Sequence, residues 1–549
     1  MCATDPAEAM PARHQKPLLT ITASSLGTVF EWYDFFLFGA VATVIADQFF
    51  RGAGSTMGFI FTLATFAVGF AVRPLGAVLF GAIGDRVGRK RTFLMTMIIM
   101  GVATVAVGLI PTYAQWGLAA PALLIAARVL QGLAMGGEYG GAAVYVAEHA
   151  PRNAKGFHTS FIQVTATAGL VMALLVVLAT RSTFGEEAFR EWAWRLPFLA
   201  SIVLLLISVW IRLRLRESPE FEALVADGTR AEAPLREAVR LPGNARRMMI
   251  ALFGALAGMT VIWYTSQFYA LFFLERVLKV DGATTNWLVA TALVIASPGF
   301  VFFGWLSDRI SRKKIILAGC LLGAVTYMPL FQALTSVVNP ALASAMERAP
   351  VTVVADPASC STQFDPIGTT RFLTSCDIAK AALSRAGVPH HLRAGTAPLA
   401  TIEVGATRVT SFDGQQLSPA ALGESRTQFD AALSAALAAQ GYPPRANPAD
   451  INFVLAIAIL TLMVLYATMC YGPIAAALCE MFPARVRYTS VSIPYNIATG
   501  WIGGFLPAAA FAISTATGDP FAGLWYPIGF CLLTIIVGLL FWREQEMQA

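Results

Sequence analysis

The sequence predicts an all-α integral membrane protein, with twelve spanning helices in two pseudo-symmetric six-helix halves and a small α+β insertion outside the membrane. Three observations carry this. Of 549 residues, 56% are hydrophobic and only 13% are charged, too few charges to cover a soluble fold of this size. Apolar stretches such as 198–211, 455–465 and 521–542 approach or, with their flanks, reach the roughly 20 residues that cross a bilayer as helix. A charged loop string also recurs at a fixed offset.

In lipid the backbone must pair its own polar groups, so the apolar stretches are helices. Strand-period alternation is absent, which excludes an outer-membrane barrel. The spans fall at about 22–46, 57–82, 93–112, 119–147, 158–180, 195–213, 249–275, 285–306, 314–337, 452–481, 489–514 and 522–542. The domain plan is a tail (1–21), a first half (22–213), a cytoplasmic linker (214–248), three helices (249–337), an insertion (338–450), three helices (451–542) and a tail (543–549). Residues 1–19 lack the short apolar core and cleavage site of a signal peptide and read as a cytoplasmic tail.

The formal charge of +6 does not mark a nucleic-acid binder. Lys and Arg concentrate in short loops on one side and at the termini, which orients both termini to the cytoplasm of a bacterial inner membrane. The partners expected are the lipid bilayer, a small metabolite and protons, with the chain a monomer.

The repeat decides the architecture. Gly81-Ala-Ile-Gly-Asp85-Arg86-Val-Gly88-Arg89-Lys90 follows the second helix, and Gly304-Trp-Leu-Ser-Asp308-Arg309-Ile-Ser311-Arg312-Lys313 follows the eighth, 223 residues on. Glu148-His-Ala-Pro151 with Lys155 follows the fourth helix, and Glu480-Met-Phe-Pro483 with Arg487 follows the tenth, 332 residues on. The offset grows by 109, the size of an insertion, which matches the polar stretch between the ninth and tenth helices. Two repeated halves place a central site between them, as in secondary transporters.

Further strings narrow the reading: Glu31-Trp32-Tyr33-Asp34-Phe35, Arg73-Pro74-Leu75-Gly76, Arg128-x-x-Gln131-Gly132 with Gly136-Gly137-Glu138-Tyr139-Gly140-Gly141, Tyr471-Gly472-Pro473, and Glu480-x-x-Pro483-x-Arg485-x-Arg487-Tyr488-Thr489. With the loop motifs they resemble the metabolite:proton symporter family of the major facilitator superfamily, which includes permeases for α-ketoglutarate, citrate, shikimate, and proline or betaine. The resemblance spans the chain except the insertion and implies the major facilitator fold and proton symport. Ser311 departs from the expected glycine, implying a less tightly turned second loop. The fifth helix lacks the Gly-Pro-x-x-Gly-Gly string of drug/proton antiporters, which favours uptake.

Charges within the membrane are costly and are usually paired and functional. The first half holds Glu31, Asp34, Arg73, Arg128 and Glu138. Sugar/proton symporters of the superfamily pair an acid on the first helix with an arginine on the fourth. On that resemblance Asp34 is the proton carrier and Arg128 its partner; the alternative is a static ion pair holding helices together. Two cavity arginines suit an anionic ligand, whereas Trp32, Tyr33, Trp263, Tyr264 and Tyr269 suit a quaternary ammonium. Gln163, Gln267, Tyr471, Tyr495 and Asn496 are candidates to bond substrate or a neighbouring helix.

The loop charges read as a cytoplasmic gate. Asp85 is placed to accept from the N-terminus of the eleventh helix, where the helix dipole favours an anion. Arg86 and Arg89 are expected to pair with Glu148, and Asp308, Arg309 and Arg312 to act with Glu480, with Arg485 and Arg487 beside them. The bland reading is that these bases only fix topology.

In the insertion, 351–355 and 400–412 read as strands, and 377–386 and 419–440 as helices. Cys360 and Cys376 lie in an oxidising compartment and are expected to form a disulfide. His390-His391 reads as a solvated loop with no third metal ligand. No metal or cofactor is expected; the driving force is the proton gradient. The function expected is proton-coupled import of a small carboxylic acid. The alternatives are an osmolyte or betaine symporter, and a transporter-like nutrient receptor. No Gly-Lys-Ser/Thr phosphate loop is present, which disfavours an ATP-driven pump.

Overall fold

The computed structural model describes residues 17–50, 65, 68–214, 217–361 and 373–543. The start of the second predicted span and both extreme tails lie outside these residues. Among the described residues, ten helices are long and apolar enough to cross a membrane: Arg89–Leu109, Ala119–His149, Lys155–Phe184, Arg195–Leu213, Asn244–Val277, Gly282–Ser307, Arg312–Val338, Phe453–Met481, Ala484–Thr517 and Ala522–Phe541. Pro17–Ala40 and Arg73–Val87 hold the first and second places of the predicted order. These twelve are numbered below from first to twelfth. Leu75, Leu206, Val325 and Leu539 are more than half exposed, as side chains facing lipid should be.

Glycine sets the closest packing. A Cβ on Gly136 would overlap the Arg73 carbonyl, and one on Gly76 the Leu133 carbonyl, so the second and fourth helices meet backbone to backbone. That contact fixes where Arg73 leaves its helix. The seventh and eleventh helices carry π-helical turns at Thr265–Tyr269 and Ala498–Gly503. Such turns interrupt the regular ladder and re-aim neighbouring side chains; Thr499 sits in the second, and Tyr264 directly precedes the first.

Between Val338 and Phe453 the chain forms an α+β unit. Strands β1 (Val351–Ala355), β2 (His390–Ala394), β3 (Thr401–Val404) and β4 (Thr407–Thr410) make one sheet in the order β2-β1-β3-β4. β1 and β2 are parallel, and the other pairs antiparallel. Helices Ser375–Ala386 and Pro419–Ala439 accompany the sheet. Cys360 and Cys376 are joined by a disulfide. The expected 400–412 strand is a hairpin turning at Gly405, whose φ is +56°. His390-His391 is a correction: it is strand, paired with Val351 and Thr352, and His390 is buried. A short polar run takes strand form because β1 supplies a partner edge.

The insertion is fastened to the second half. The His390 amide donates to Gly518 O (2.8 Å), between the eleventh and twelfth helices. Lys279 Nζ donates to Arg385 O (2.8 Å), and Lys279 O accepts from the Ala446 amide (3.1 Å). Lys279 holds a left-handed backbone, φ 58°, a strained state that persists because these contacts fix it.

Candidate functional site

A central cavity lies between the halves, lined by Trp32, Arg73, Gln163, Ala166, Trp263, Tyr264, Phe300, Tyr471, Tyr495 and Thr499. It encloses about 20 Å³, the space of about one water. A metabolite enters only if the halves separate. Arg73 is the one charged side chain in this lining. Its Nε donates to Asn496 Oδ1 (3.2 Å), and Asn496 Nδ2 donates to Gly136 O (2.8 Å). Arg73 on the first half is therefore steadied by a residue of the second. Gln163 Nε2 donates to the Tyr139 hydroxyl (2.9 Å), and Tyr139 stacks on Tyr495 with centroids 3.6 Å apart.

Several expected site residues lie elsewhere. Tyr33 is buried against the sixth helix, its hydroxyl donating to Pro197 O (2.7 Å). Tyr269 reaches Pro520 O (3.4 Å), outside the cavity lining. The Asp34–Arg128 pair is a correction. Asp34 accepts from Ser201 Oγ (2.6 Å), while Arg128 donates to Gln131 Oε1 (2.5 Å) and lies 3.8 Å over the Phe38 ring. Among the described residues no ion pair joins Asp34 to Arg128. Asp34 faces the sixth helix, and Arg128 is bonded within its own helix and lies against aromatic faces. The expected second cavity arginine is thus not in the lining.

Arg212, on the sixth helix, was not anticipated. It is 2% exposed, its Nη2 lies 3.5 Å from Glu31 Oε1, and its guanidinium stacks 3.2 Å over Phe93. Its signal was present: a basic residue directly after the apolar run Phe198–Ile211. With Arg214 and Arg216 close behind, it reads as a loop charge.

On the side of the repeated charged loops the halves are clasped twice. Asp85 accepts from the amides of Tyr488 (3.2 Å) and Thr489 (2.8 Å), at the start of the eleventh helix. Asp308 accepts from the amides of Gly156 (2.7 Å) and Phe157 (2.8 Å), at the start of the fifth. Residues 156–157 and 488–489 differ by the same 332 as Glu148 and Glu480. Gly81 packs on Thr489, and Gly304 on Ser160. Arg89 reaches Asp85 (3.4 Å) and Glu148 (3.6 Å), while Arg312 pairs with Asp308 (3.1 Å) and Glu480.

Arg86 and Arg309 are corrections. Both are exposed, and Arg309 lies 3.7 Å over the Trp305 ring; each points off the far side of its turn. The linker instead supplies acids that had read only as part of a basic segment. Arg487 pairs with Glu148 (2.9 Å) and Glu220, and Arg485 with Glu237 (2.7 Å). Gly88 has φ +121°, whereas Ser311 has φ −54° and caps the ninth helix by accepting from the Lys314 amide. The two loop copies differ because only glycine takes the first conformation readily.

The chain matches the family described as "Sugar (and other) transporter" over residues 19–250 and that described as "MFS/sugar transport protein" over 156–355. It is 37% identical to the shikimate transporter of Escherichia coli over 57% of this chain and 71% of that protein. It is 34% identical to the α-ketoglutarate permease of the same organism over 59% and 74%. The chain belongs to this major facilitator family of metabolite transporters. The match to the glycine betaine/proline/ectoine/pipecolic acid transporter of Dickeya dadantii is 36% over 58% and 64%. The fold is that of a solved proton:xylose symporter (TM-score 0.59, 14% identity, 96% and 95% coverage) and of an E. coli fucose:proton symporter variant (0.52, 14%, 96% and 99%). This member of the family is a multi-pass membrane transporter.

Proposed function

We propose that this transporter imports a small organic acid together with protons, by alternating access across a bacterial inner membrane, as a monomer with both termini cytoplasmic. The observation that carries the reading is Arg73. A lone guanidinium among aromatic rings, in a space too small to hold bulk water, attracts one carboxylate and packs an apolar body around it. The transporters of shikimate and α-ketoglutarate among the relatives support an acid. The clasped cytoplasmic side and the small enclosed cavity fit a state in which the substrate path to the cytoplasm is shut.

A second reading has its own support. Trp32, Trp263, Tyr264, Tyr471 and Tyr495 around Arg73 would also suit a betaine, with carboxylate on the arginine and ammonium on the rings. Proteoliposomes enclosing a pH-sensitive dye distinguish the two. Internal acidification by shikimate or α-ketoglutarate but not by glycine betaine supports the acid; the reverse supports the osmolyte. A ligand that binds without any proton movement would sink the symport reading.

A further inference from the structure

A buried ionic cluster lies beside the cavity and outside its lining. Glu31, Glu138 and Arg212 are each at most 4% exposed. The two carboxyls face each other, and Arg212 faces both. Neither Glu31 oxygen and none of the Arg212 nitrogens makes a hydrogen bond among the described residues; the 3.5 Å ion pair and the Phe93 ring are what hold them. Groups this buried are ordinarily satisfied in native structures, and exceptions mark function or strain.

We infer that Glu31, Glu138 and Arg212 form the site that carries the coupling proton, and that Arg73, shared between this cluster and the cavity, makes proton binding follow the binding of a substrate carboxylate. This rests on the symport reading above. Charge counting gives the coupling. The groups facing the cluster are Asp34 from the first helix, on the Glu31 side, Arg73 from the second, Tyr145 from the fourth and Tyr488 from the eleventh, with the Phe93 ring from the third. Two carboxylates against Arg212 and Arg73 are neutral. When a substrate carboxylate takes Arg73, the cluster is left one negative charge in excess at a buried site. Taking up one proton cancels it, because two carboxylates this close do not both stay ionised without compensation. Loss of the substrate leaves the Arg73 charge to balance the cluster again and releases that proton.

Tyr488 gives the direction. Its ring packs on Gly84 and its hydroxyl donates to Gly137 O (2.7 Å), while its amide is held by Asp85. The residue that covers the cluster is thus part of the clasp. Opening the cytoplasmic side withdraws Tyr488 and bares the acids to the cytoplasm, where the proton leaves. Asp34 also faces Glu31, but its carboxyl is held by Ser201 (2.6 Å) and makes no ion pair with Arg212 or Arg73 among the described residues.

Arg73→Gln mimics permanent occupation of Arg73, so the test needs no ligand. The purified full chain in detergent at neutral pH is measured by infrared absorption of protonated carboxyls. Arg73→Gln is expected to gain one such band over wild type, absent from Arg73→Gln/Glu138→Gln and from Arg73→Gln/Glu31→Gln, and retained in Arg73→Gln/Asp34→Asn. No gain in Arg73→Gln, or a gain that only Asp34→Asn removes, overturns the inference. Glu31→Gln is the second route should Glu138→Gln fail to fold, judged by a monodisperse elution profile. Failure of symport itself is read separately, as a flat dye signal in wild-type liposomes that still bind shikimate.

Discussion

Asp85 accepts the amide of Thr489 at 2.8 Å, so one carboxylate of the first half caps a helix of the second. Asp308 returns the bond in the opposite sense, onto Gly156 and Phe157. Each charge-assisted bond is worth about 1.5–3 kcal/mol, and each spans the two halves, so parting the halves on this side would break it. Asp85→Asn is therefore expected to raise the inward-open population about tenfold or more, and Asp308→Asn to do the same. Labelling of a single cysteine placed at the cytoplasmic end of the cavity reports this. Unchanged labelling in both variants would show that the caps do not hold the gate.

Glu148 is held by both Arg89 and Arg487. Arg89→Glu is expected to abolish transport, since it sets two buried acids side by side. Exchanging the pair, Arg89→Glu with Glu148→Arg, recovers transport only in part, because Arg487 then meets an arginine. Adding Arg487→Gln to the exchange is expected to improve the rescue. Uptake by the three variants decides, and an exchange that restores nothing with or without Arg487→Gln counts against the gate.

How much of this was legible follows from what each residue needs. The Asp85 cap was readable, because the loop string fixes an acid against a helix start wherever the halves meet. The mirrored role of Asp308 follows from the same repeat once Gly156 is seen 332 residues before Tyr488. The Asp34–Arg128 pairing failed because it depends on how each helix is rotated about its axis, and the first helix turns Asp34 towards Ser201 of the sixth instead. Arg212 escaped notice because a base at a helix end looks the same in sequence whether it is solvated or buried over Phe93. Strand β2 was missed because its conformation comes from pairing with β1, a tertiary effect that local propensity does not carry.

Arg73 offers a forked donor to a carboxylate, and lysine does not. Arg73→Lys is expected to weaken ligand binding roughly tenfold and Arg73→Ala by more than that, toward a hundredfold. Isothermal titration with shikimate checks both. Equal affinity in Arg73→Ala would remove this arginine from the site.

The inserted domain should loosen on acidification, and His390 is the reason. Burial lowers its pKa from the ordinary 6.5, with Lys380 and His391 adding to the effect and the Val388 carbonyl opposing it. The folded domain thus binds fewer protons at this group than the unfolded chain, so stability rises with pH across the window. The contribution is present above about 6.5 and is lost as pH falls through the lowered folded value. Because the His390 amide grips Gly518 O (2.8 Å) and its ring packs on that glycine, the first contact to loosen is the one between the insertion and the eleventh-to-twelfth helix loop. Hydrogen exchange at residues 390–394 and 516–520 is expected to quicken between pH 7 and pH 5, and His390→Phe to flatten that dependence. An identical pH profile in His390→Phe would assign the effect to another group.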